Sequence, residues 1–154
     1  MIMEEKIVAK LRAEHLSIAC AESCTGGMVA SRLINVAGAS EVLEMSFVTY
    51  SDRAKHRLLG VSDETLKTYS AVSMQTAGEM AQGMAKAAQS DVAVSVTGLA
   101  GPDGGTEELP VGTVFIGVFY RGETTVKKFV FQGDRMQVRE QAAQKALESV
   151  WERL

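Results

Sequence analysis

The sequence predicts a single α/β domain over residues 1–154, with helices covering both faces of a mixed sheet in three layers. Three observations predict it. The length of 154 residues suits one domain with one sizeable core. Segments with helical periodicity alternate with short apolar runs in the first half of the chain. Two further β runs flank a tight turn near the end, which adds a hairpin to the alternating part.

The first half supplies the alternating elements. Apolar residues three and four positions apart, such as Ile7 and Leu11, predict each helix, and short apolar runs bounded by small residues predict each strand. The predicted elements are helix 3–14, strand 16–21, a helix carrying Met28, Val29, Leu33 and Val36 and broken at 38–40, strand 47–51, and a short helix 52–58 that stops at Gly60.

The second half is predicted from caps and turns. Ser62, followed by two acids, caps another turn, and Ser73 caps a longer helix whose methionines we expect to fill the core. Asp134 with Gln137 resembles a capping box and starts the last helix. The predicted elements are helix 74–89, strand 91–97, a hairpin of 111–120 and 124–131 around residues 121–123, and the final helix.

Composition excludes several classes of function. The net charge is −3, the pI is about 5.4 and the basic residues are scattered, so we expect no nucleic-acid partner. No run of about 18 apolar residues exists, so we expect no membrane span or membrane partner. The N-terminal segment lacks the apolar stretch of a signal peptide, which favours the cytoplasm and argues against a disulfide between Cys20 and Cys24.

Two loops that follow predicted strands are candidate ligand sites. In an open α/β sheet, ligands bind beyond the carboxyl ends of the strands. Residues 23–27 offer hydroxyls and a helix start suited to a phosphate, although a tight turn with a serine cap explains them equally well. Residues 98–105 hold four glycines, which favours close approach of a ligand to the backbone over a plain loop. Neither loop has the Walker or dinucleotide-binding pattern.

Few side chains are suited to nucleophilic catalysis. His15 and His56 are the only histidines, and both lie in segments typical of a protein surface. The chain therefore offers few residues for a Ser-His-Asp triad or a zinc site. Cys24 is a candidate thiolate, since a position at a helix N-terminus lowers a thiol pKa, but no histidine is placed to serve it. A serine–lysine pair remains, and spacing alone does not identify it among many serines.

Several segments, in order along nearly the whole chain, resemble the CinA C-terminal domain family. They include Ala-Glu-Ser-Cys-Thr-Gly-Gly at 21–27 and the glycine-rich block at 97–105. The resemblance implies an amidase that converts nicotinamide mononucleotide to nicotinic acid mononucleotide and ammonia. It also indicates the short, stand-alone form, because no N-terminal molybdopterin-binding-like domain is present. The other matching segments are residues 38–40, 48–55, 59–61, 71–73, 110–114, 133–135 and 138–139.

The resemblance also implies the catalytic residues. Carried over by motif, the nucleophile is Ser40, the base is a neutral Lys55 and the orienting tyrosine is Tyr50. Two positions depart from the family: Asp52 stands where asparagine is usual, and Ser46 where glycine is frequent. An acid near Lys55 favours its charged form and opposes its action as a base.

The same resemblance implies how a small-molecule nucleotide is held, without metal or cofactor. The phosphate is expected on one of the two loops with Arg139, for which surface pairing with Glu140 or Glu148 is the alternative. A nucleotide-binding module without turnover is the main rival function, a phosphoryl-transfer enzyme a weaker one, and a homodimer is expected. The implied substrate-binding residues are Ser23, Thr25, Gly26, Gly27, Thr97, Gly98, Gly101, Gly104, Gly105 and Arg139.

Overall fold

The computed structural model describes residues 1–154 and has the predicted architecture, with six α-helices and a five-stranded mixed sheet. No helix combines the length and the apolar character needed to cross a membrane. The elements are α1 (Met3–Glu14), β1 (Ile18–Glu22), α2 (Met28–Ile34), a 3-10 turn (Ala39–Glu41), β2 (Phe47–Val48), α3 (Asp52–Leu59), α4 (Asp63–Tyr69), α5 (Met74–Ala88), β3 (Val92–Gly98), β4 (Thr113–Tyr120), β5 (Glu123–Val130) and α6 (Arg135–Arg153).

The sheet has the strand order β2-β1-β3-β4-β5. Strands β1, β2 and β3 run parallel, whereas β4 pairs antiparallel with both β3 and β5. The carboxyl ends of the three parallel strands therefore lie at the same edge of the sheet. The loops after these strands, which carry most of the candidate residues, are brought together there.

Helices cover both faces of the sheet, which explains why every residue of β1 is buried. Side chains alternate between the faces along a strand. Ile18 and Cys20 pack with α1, α2 and α6, while Ala19 and Ala21 pack with α3, α4 and α5. The small residues on the second face let α5 lie close to the sheet, where its methionines Met80 and Met84 fill the core as predicted, although Met74 is exposed.

Helix caps decide where the elements begin and end. The predicted capping box of Asp134 and Gln137 is confirmed, as are the serine caps of α4 and α5. The predicted strand 47–51 is wrong in its second half, because Ser51 caps α3 and accepts the N–H of Ala54. Residues 63–69, predicted only as a turn, form the complete helix α4.

Helix α3, which carries Lys55, is seated against α5. A Cβ added at Gly83 of α5 would lie 1.7 Å from the main-chain oxygen of Leu59, so only glycine fits at this crossing. Gly60 ends α3 in the left-handed conformation with φ of 70°, as its position in the sequence predicted. The close crossing fixes α3, and therefore Lys55, relative to the sheet.

Candidate active site

Lys55 is buried against Ser23 at the carboxyl end of β1. Only 2% of Lys55 is exposed. Its Nζ lies 2.9 Å from Ser23 Oγ and donates to the main-chain oxygen of Thr49 at 2.8 Å. An amine at hydrogen-bond distance from a hydroxyl is the arrangement that a serine–lysine nucleophile requires.

Strand pairing brings these two residues together although 32 positions separate them in the sequence. Strands β1 and β2 pair in parallel, with Glu22 opposite Val48. The N–H of Thr49 then donates to the main-chain oxygen of Glu22, and the N–H of Ser23 donates to that of Val96 in β3. Ser23 is thus held by the central strands, and Lys55 reaches it from the first turn of α3.

The surroundings of Lys55 favour its neutral form. Burial lowers the pKa of Lys55, while the nearby Asp52 and Cys24 raise it to a lesser extent. The expectation that Asp52 favours the charged amine is confirmed in direction, but burial outweighs it. A neutral amine at 2.9 Å can accept the proton of the Ser23 hydroxyl and keep an N–H on the Thr49 oxygen.

The turn after Ser23 leaves main-chain donors without acceptors next to the nucleophile candidate. Gly26 and Gly27 have φ values of 59° and 102°, a conformation that side chains other than glycine rarely adopt. The N–H groups of Cys24, Thr25 and Gly27 donate to no main-chain oxygen or side-chain oxygen. Thr25 is fully buried, so the N–H groups of Cys24 and Gly27 are the ones that could hold a negatively charged oxygen formed next to Ser23.

The predicted pairing of Ser40 with Lys55 is wrong in geometry. Ser40 is exposed in the 3-10 turn, three residues before Leu43, which bridges Ile18 at the start of β1. Ser23 follows the other end of the same strand. Strand β1 rises roughly 13 Å from Ile18 to Glu22, at about 3.3 Å per residue, so Ser40 lies at the opposite end of this strand from Ser23 and Lys55.

Tyr50 lies at the rim of the site, where it contacts an arginine instead of the serine–lysine pair. Its side chain is 63% exposed, and its hydroxyl accepts a hydrogen bond from Arg135 Nη2 at 2.9 Å. It makes no hydrogen bond to Ser23 or Lys55. These contacts place Tyr50 at the rim of the site, and its predicted orienting role stays a prediction.

Two arginines one turn apart on α6 connect the loops of the site. Arg139 donates through Nε to the main-chain oxygen of Cys24 at 2.8 Å and through Nη2 to that of Thr25 at 3.3 Å. Arg135 donates through Nη1 to the main-chain oxygen of Gly101 at 2.7 Å. Neither arginine forms a salt bridge, so surface pairing of Arg139 with Glu140 or Glu148 is excluded. Their positive charges stay without an acidic partner.

The glycines of the second loop are largely explained by packing of the loop itself. A Cβ at Gly98 would lie 2.7 Å from a main-chain oxygen of β4, and one at Gly101 would lie 2.5 Å from Val111 Cγ1. Gly105 meets the main chain of Val111 at 2.7 Å, whereas Gly104 has no contact closer than 3.7 Å. Packing of protein atoms therefore explains the glycine at three of these four positions, and close approach of a ligand to this loop stays a prediction.

Cys24 is not activated as a thiol. Burial raises its pKa to about 11, and the lowering by Arg139 and Lys55 is smaller. The expected lowering by the helix N-terminus is outweighed, because the thiol is removed from water. Cys20 is also buried with a raised pKa, and its N–H donates to the Ser46 hydroxyl at 2.9 Å. Ser23 is therefore a better nucleophile candidate than either cysteine, because both thiols are buried with raised pKa values and Ser23 contacts the amine of Lys55.

Two buried threonine hydroxyls near the pair differ in whether they have a structural partner. The hydroxyl of Thr97 donates to the main-chain oxygen of Ala71 at 2.7 Å, which ties β3 to the start of α5 and leaves Thr97 buried. The buried hydroxyl of Thr25 has no partner. No group of three or more histidine, cysteine, aspartate or glutamate side chains is arranged to hold a metal ion.

Sequence reasoning missed two residues, Glu22 and Arg135. Glu22 is buried, and its carboxylate accepts the N–H groups of Val29 and Ala30. A charged residue at the end of an otherwise apolar run was the available signal, since such a residue needs a partner when the strand is buried. Arg135 gave no comparable signal, because a basic residue at the start of a helix is usually exposed.

The profile of the CinA C-terminal domain matches residues 1–154. The chain belongs to the CinA C-terminal domain family. It is 52% identical over 139 residues to the nicotinamide-nucleotide amidohydrolase PncC of Enterobacter agglomerans, covering 90% of this chain and 85% of that protein. It is 56% identical to a putative competence-damage inducible protein of Clostridium beijerinckii, but covers only 34% of it. The chain thus spans about a third of the length of several curated relatives that it matches.

Solved structures of the family have the same fold. The competence/damage inducible protein CihA from Agrobacterium tumefaciens superposes with a TM-score of 0.95 at 39% identity, covering 97% of this chain and 92% of that one. A CinA superfamily protein from Escherichia coli gives 0.95 at 36% identity, covering 99% and 88%. The arrangement of the strands that brings Ser23 to Lys55 therefore belongs to a fold that the family shares.

Proposed function

We propose that this CinA-family domain is an amidohydrolase that converts nicotinamide mononucleotide to nicotinic acid mononucleotide and ammonia. The observation that carries the proposal is the buried contact of 2.9 Å between Lys55 Nζ and Ser23 Oγ, in surroundings that lower the pKa of Lys55. The resemblance to the nicotinamide-nucleotide amidohydrolase of Enterobacter agglomerans supports an amide hydrolase and suggests the substrate.

In the first step, Ser23 Oγ attacks the carbonyl carbon of the carboxamide, and Lys55 takes the hydroxyl proton. A C–O bond forms and the carbonyl oxygen becomes an oxyanion. The N–H groups of Cys24 and Gly27, which belong to the turn that follows the nucleophile and have no oxygen acceptor, are the donors we assign to it. The hydrogen bond from Lys55 to the Thr49 oxygen keeps the amine oriented during the transfer.

In the second step, the oxyanion collapses and the C–N bond breaks. Lys55, now an ammonium, gives its proton to the departing amide nitrogen, which leaves as ammonia. The neutral Lys55 then takes a proton from water, and the hydroxide attacks the carbonyl carbon of the ester on Ser23. The C–O bond to Ser23 breaks, and Lys55 returns its proton to the Ser23 oxygen. The product leaves as the carboxylic acid, which gives its proton to water and becomes the carboxylate. One amine serves all the proton transfers within the site, so no histidine is needed in this scheme.

The arginines of α6 are the groups we assign to the phosphate of the nucleotide. Arg135 and Arg139 have no acidic partner and leave guanidinium N–H groups unused, since each has five. Their contacts place them at the rim of the site, on the loop after Ser23 and the loop at Gly101. A phosphate monoester would supply the missing negative charge in a bidentate geometry. This assignment favours the mononucleotide over free nicotinamide.

One observation favours a rival function. Asp52 raises the pKa of Lys55, and a lysine that stays protonated would bind a nucleotide without hydrolysing it. In that case the domain would be a nucleotide-binding module. The opposing effect of burial on Lys55 is larger, which is why we favour catalysis.

The test is incubation of the purified protein with nicotinamide mononucleotide, the dinucleotide and free nicotinamide, with ammonia as the readout. We expect ammonia release from the mononucleotide at a rate well above the other two, and none from the Ser23→Ala variant. Binding of the mononucleotide by calorimetry without ammonia release would support the binding module and contradict the amidase.

A further inference from the structure

We infer that Glu22 is a positioning residue that holds Ser23 and Lys55 in their reactive geometry. The inference rests on the proposed function, since it concerns the same serine–lysine pair. It draws on contacts of Glu22 that play no part in the proton transfers described above. Both the side chain and the main chain of Glu22 contribute to it.

The carboxylate of Glu22 clamps the start of α2. Only 1% of the residue is exposed. One oxygen accepts the N–H of Val29 at 2.9 Å and the other accepts the N–H of Ala30 at 3.0 Å. No basic side chain forms a salt bridge with it. A buried carboxylate is costly to remove from water, and these two hydrogen bonds to helix N–H groups offset part of that cost.

The main chain of Glu22 reaches both members of the pair. Glu22 is peptide-bonded to Ser23, and its main-chain oxygen accepts the N–H of Thr49 at 2.8 Å. The main-chain oxygen of Thr49 in turn accepts a hydrogen bond from Lys55 Nζ at 2.8 Å. A shift of Glu22 would therefore move the nucleophile directly and the base through Thr49.

The Glu22 carboxylate also fixes the turn that joins β1 to α2. Residues 23–27 are held at one end by β1 and at the other by α2, and the clamp closes this short segment. The free N–H groups assigned to the oxyanion lie within it. A displacement of about 1 Å in such a constellation can reduce a rate by roughly 10²-fold.

Glutamine should not replace Glu22, although it has nearly the same shape. A carboxylate has two acceptor oxygens, whereas an amide has one oxygen and one NH₂ donor. In Glu22→Gln, a donor would face either the Val29 N–H or the Ala30 N–H. The start of α2 would then move away, and the turn that carries Ser23 would move with it.

Glu4 supplies a matched control because it is a second buried carboxylate. It forms a salt bridge of 2.7 Å with Arg32 and joins α1 to α2, away from the serine–lysine pair. Glu4→Gln removes a buried negative charge without touching Ser23 or Lys55. An equal loss of kcat in Glu22→Gln and Glu4→Gln would therefore come from a general loss of stability and not from the position of Glu22.

The experiment compares kcat and KM for nicotinamide mononucleotide in the wild type, Glu22→Gln, Glu22→Asp and Glu4→Gln, each shown to be folded by circular dichroism. We expect kcat of Glu22→Gln to fall about 10- to 100-fold with KM changed less than about threefold. We expect Glu22→Asp to lose less, since it keeps two acceptor oxygens, and Glu4→Gln to keep the wild-type kcat. Wild-type kcat in folded Glu22→Gln, or a larger loss of kcat in Glu22→Asp than in Glu22→Gln, would overturn the inference.

A second measurement separates this inference from the proposed substrate. The rate at which phenylmethylsulfonyl fluoride labels Ser23, followed by mass spectrometry, reports the reactivity of the serine without any nucleotide. We expect labelling of the wild type and slower labelling of Glu22→Gln, with Glu4→Gln like the wild type. Equal labelling rates in Glu22→Gln and wild type would overturn the positioning role. If Glu22→Gln is labelled more slowly than the wild type but the wild type releases no ammonia from the mononucleotide, the role of Glu22 would be supported. Only the proposed substrate would then be contradicted.

Discussion

The two ends of strand β1 differ in how their polar groups are used. At the amino end, polar side chains pair with one another: Arg12 contacts both carboxylate oxygens of Glu41 at 3.0 Å, and Asp91 accepts from the N–H and the hydroxyl of Ser17. At the carboxyl end, a lysine is buried without a carboxylate in contact with its amine, and two arginines bind main-chain oxygens, a tyrosine hydroxyl and a methionine sulfur but no carboxylate.

The difference separates stabilisation from function. Exposed polar side chains that are hydrogen-bonded to one another contribute modestly to stability, and they leave no donor or charge free for a ligand. Groups held in costly, incompletely paired states mark a place where a ligand completes the interactions. By this criterion the carboxyl end of β1 is the functional end. Ser40 lies at the amino end, where the polar groups stabilise the fold.

The largest expected effect separates the two serines. Ser23→Ala should reduce ammonia release at least about 10³-fold, because it removes the nucleophile itself. Ser40→Ala should stay within about twofold of the wild type, since Ser40 is exposed at the other end of the strand. Steady-state ammonia release measures both. Loss of activity in Ser40→Ala with retention in Ser23→Ala would reverse the assignment of the two ends.

The next effect concerns the arginines. Arg139→Met should raise KM for nicotinamide mononucleotide about 10- to 100-fold, because a charge-assisted hydrogen bond contributes about 1.5–3 kcal/mol. The riboside, which lacks the phosphate, should show a much smaller change in KM. Arg12→Met, which removes an arginine at the amino end, is the control and should leave KM unchanged. An equal rise in KM for nucleotide and riboside would show that Arg139 only supports the loop.

A smaller effect is expected at the amino end, on stability alone. Asp91→Ala removes the carboxylate that accepts two hydrogen bonds from Ser17, where the chain enters β1. The free energy of unfolding should fall by about 1 kcal/mol, measured from the urea midpoint. Ammonia release at a temperature where the variant is folded should not change. A loss of kcat without a loss of stability would mean that this end also takes part in the reaction.

The smallest effect is a shift along the pH axis. Because the neutral amine is the reactive form, kcat/KM should rise with pH as Lys55 loses its proton. Asp52 raises the pKa of Lys55, so Asp52→Asn should lower it further and move this rise to lower pH. Asp63→Asn, which removes an exposed charge near His56, is the control and should not move the profile. A rise that moves to higher pH in Asp52→Asn would contradict the role of Lys55 as base.

Much of the fold follows from local signals in the sequence. Periodicity placed α1 and α5, and the serine and aspartate caps placed the starts of α4, α5 and α6, because helix ends depend on a few neighbouring residues. Strand β2 was predicted too long because Ser51 caps α3, so residues 49–51 lead out of the sheet to begin that helix. That choice depends on which partner strand is available, which local sequence does not state.

The sequence by itself determined the α/β class, the resemblance to the CinA C-terminal domain family and the candidacy of Lys55, all of which are properties of segments. Tertiary structure alone decided which serine meets that lysine, that the Cys24 thiol is buried with a raised pKa, and that Glu22 clamps α2. The physical reason is the parallel pairing of β1 with β2. It joins residues 32 positions apart and leaves a serine only 15 positions away at the other end of the strand.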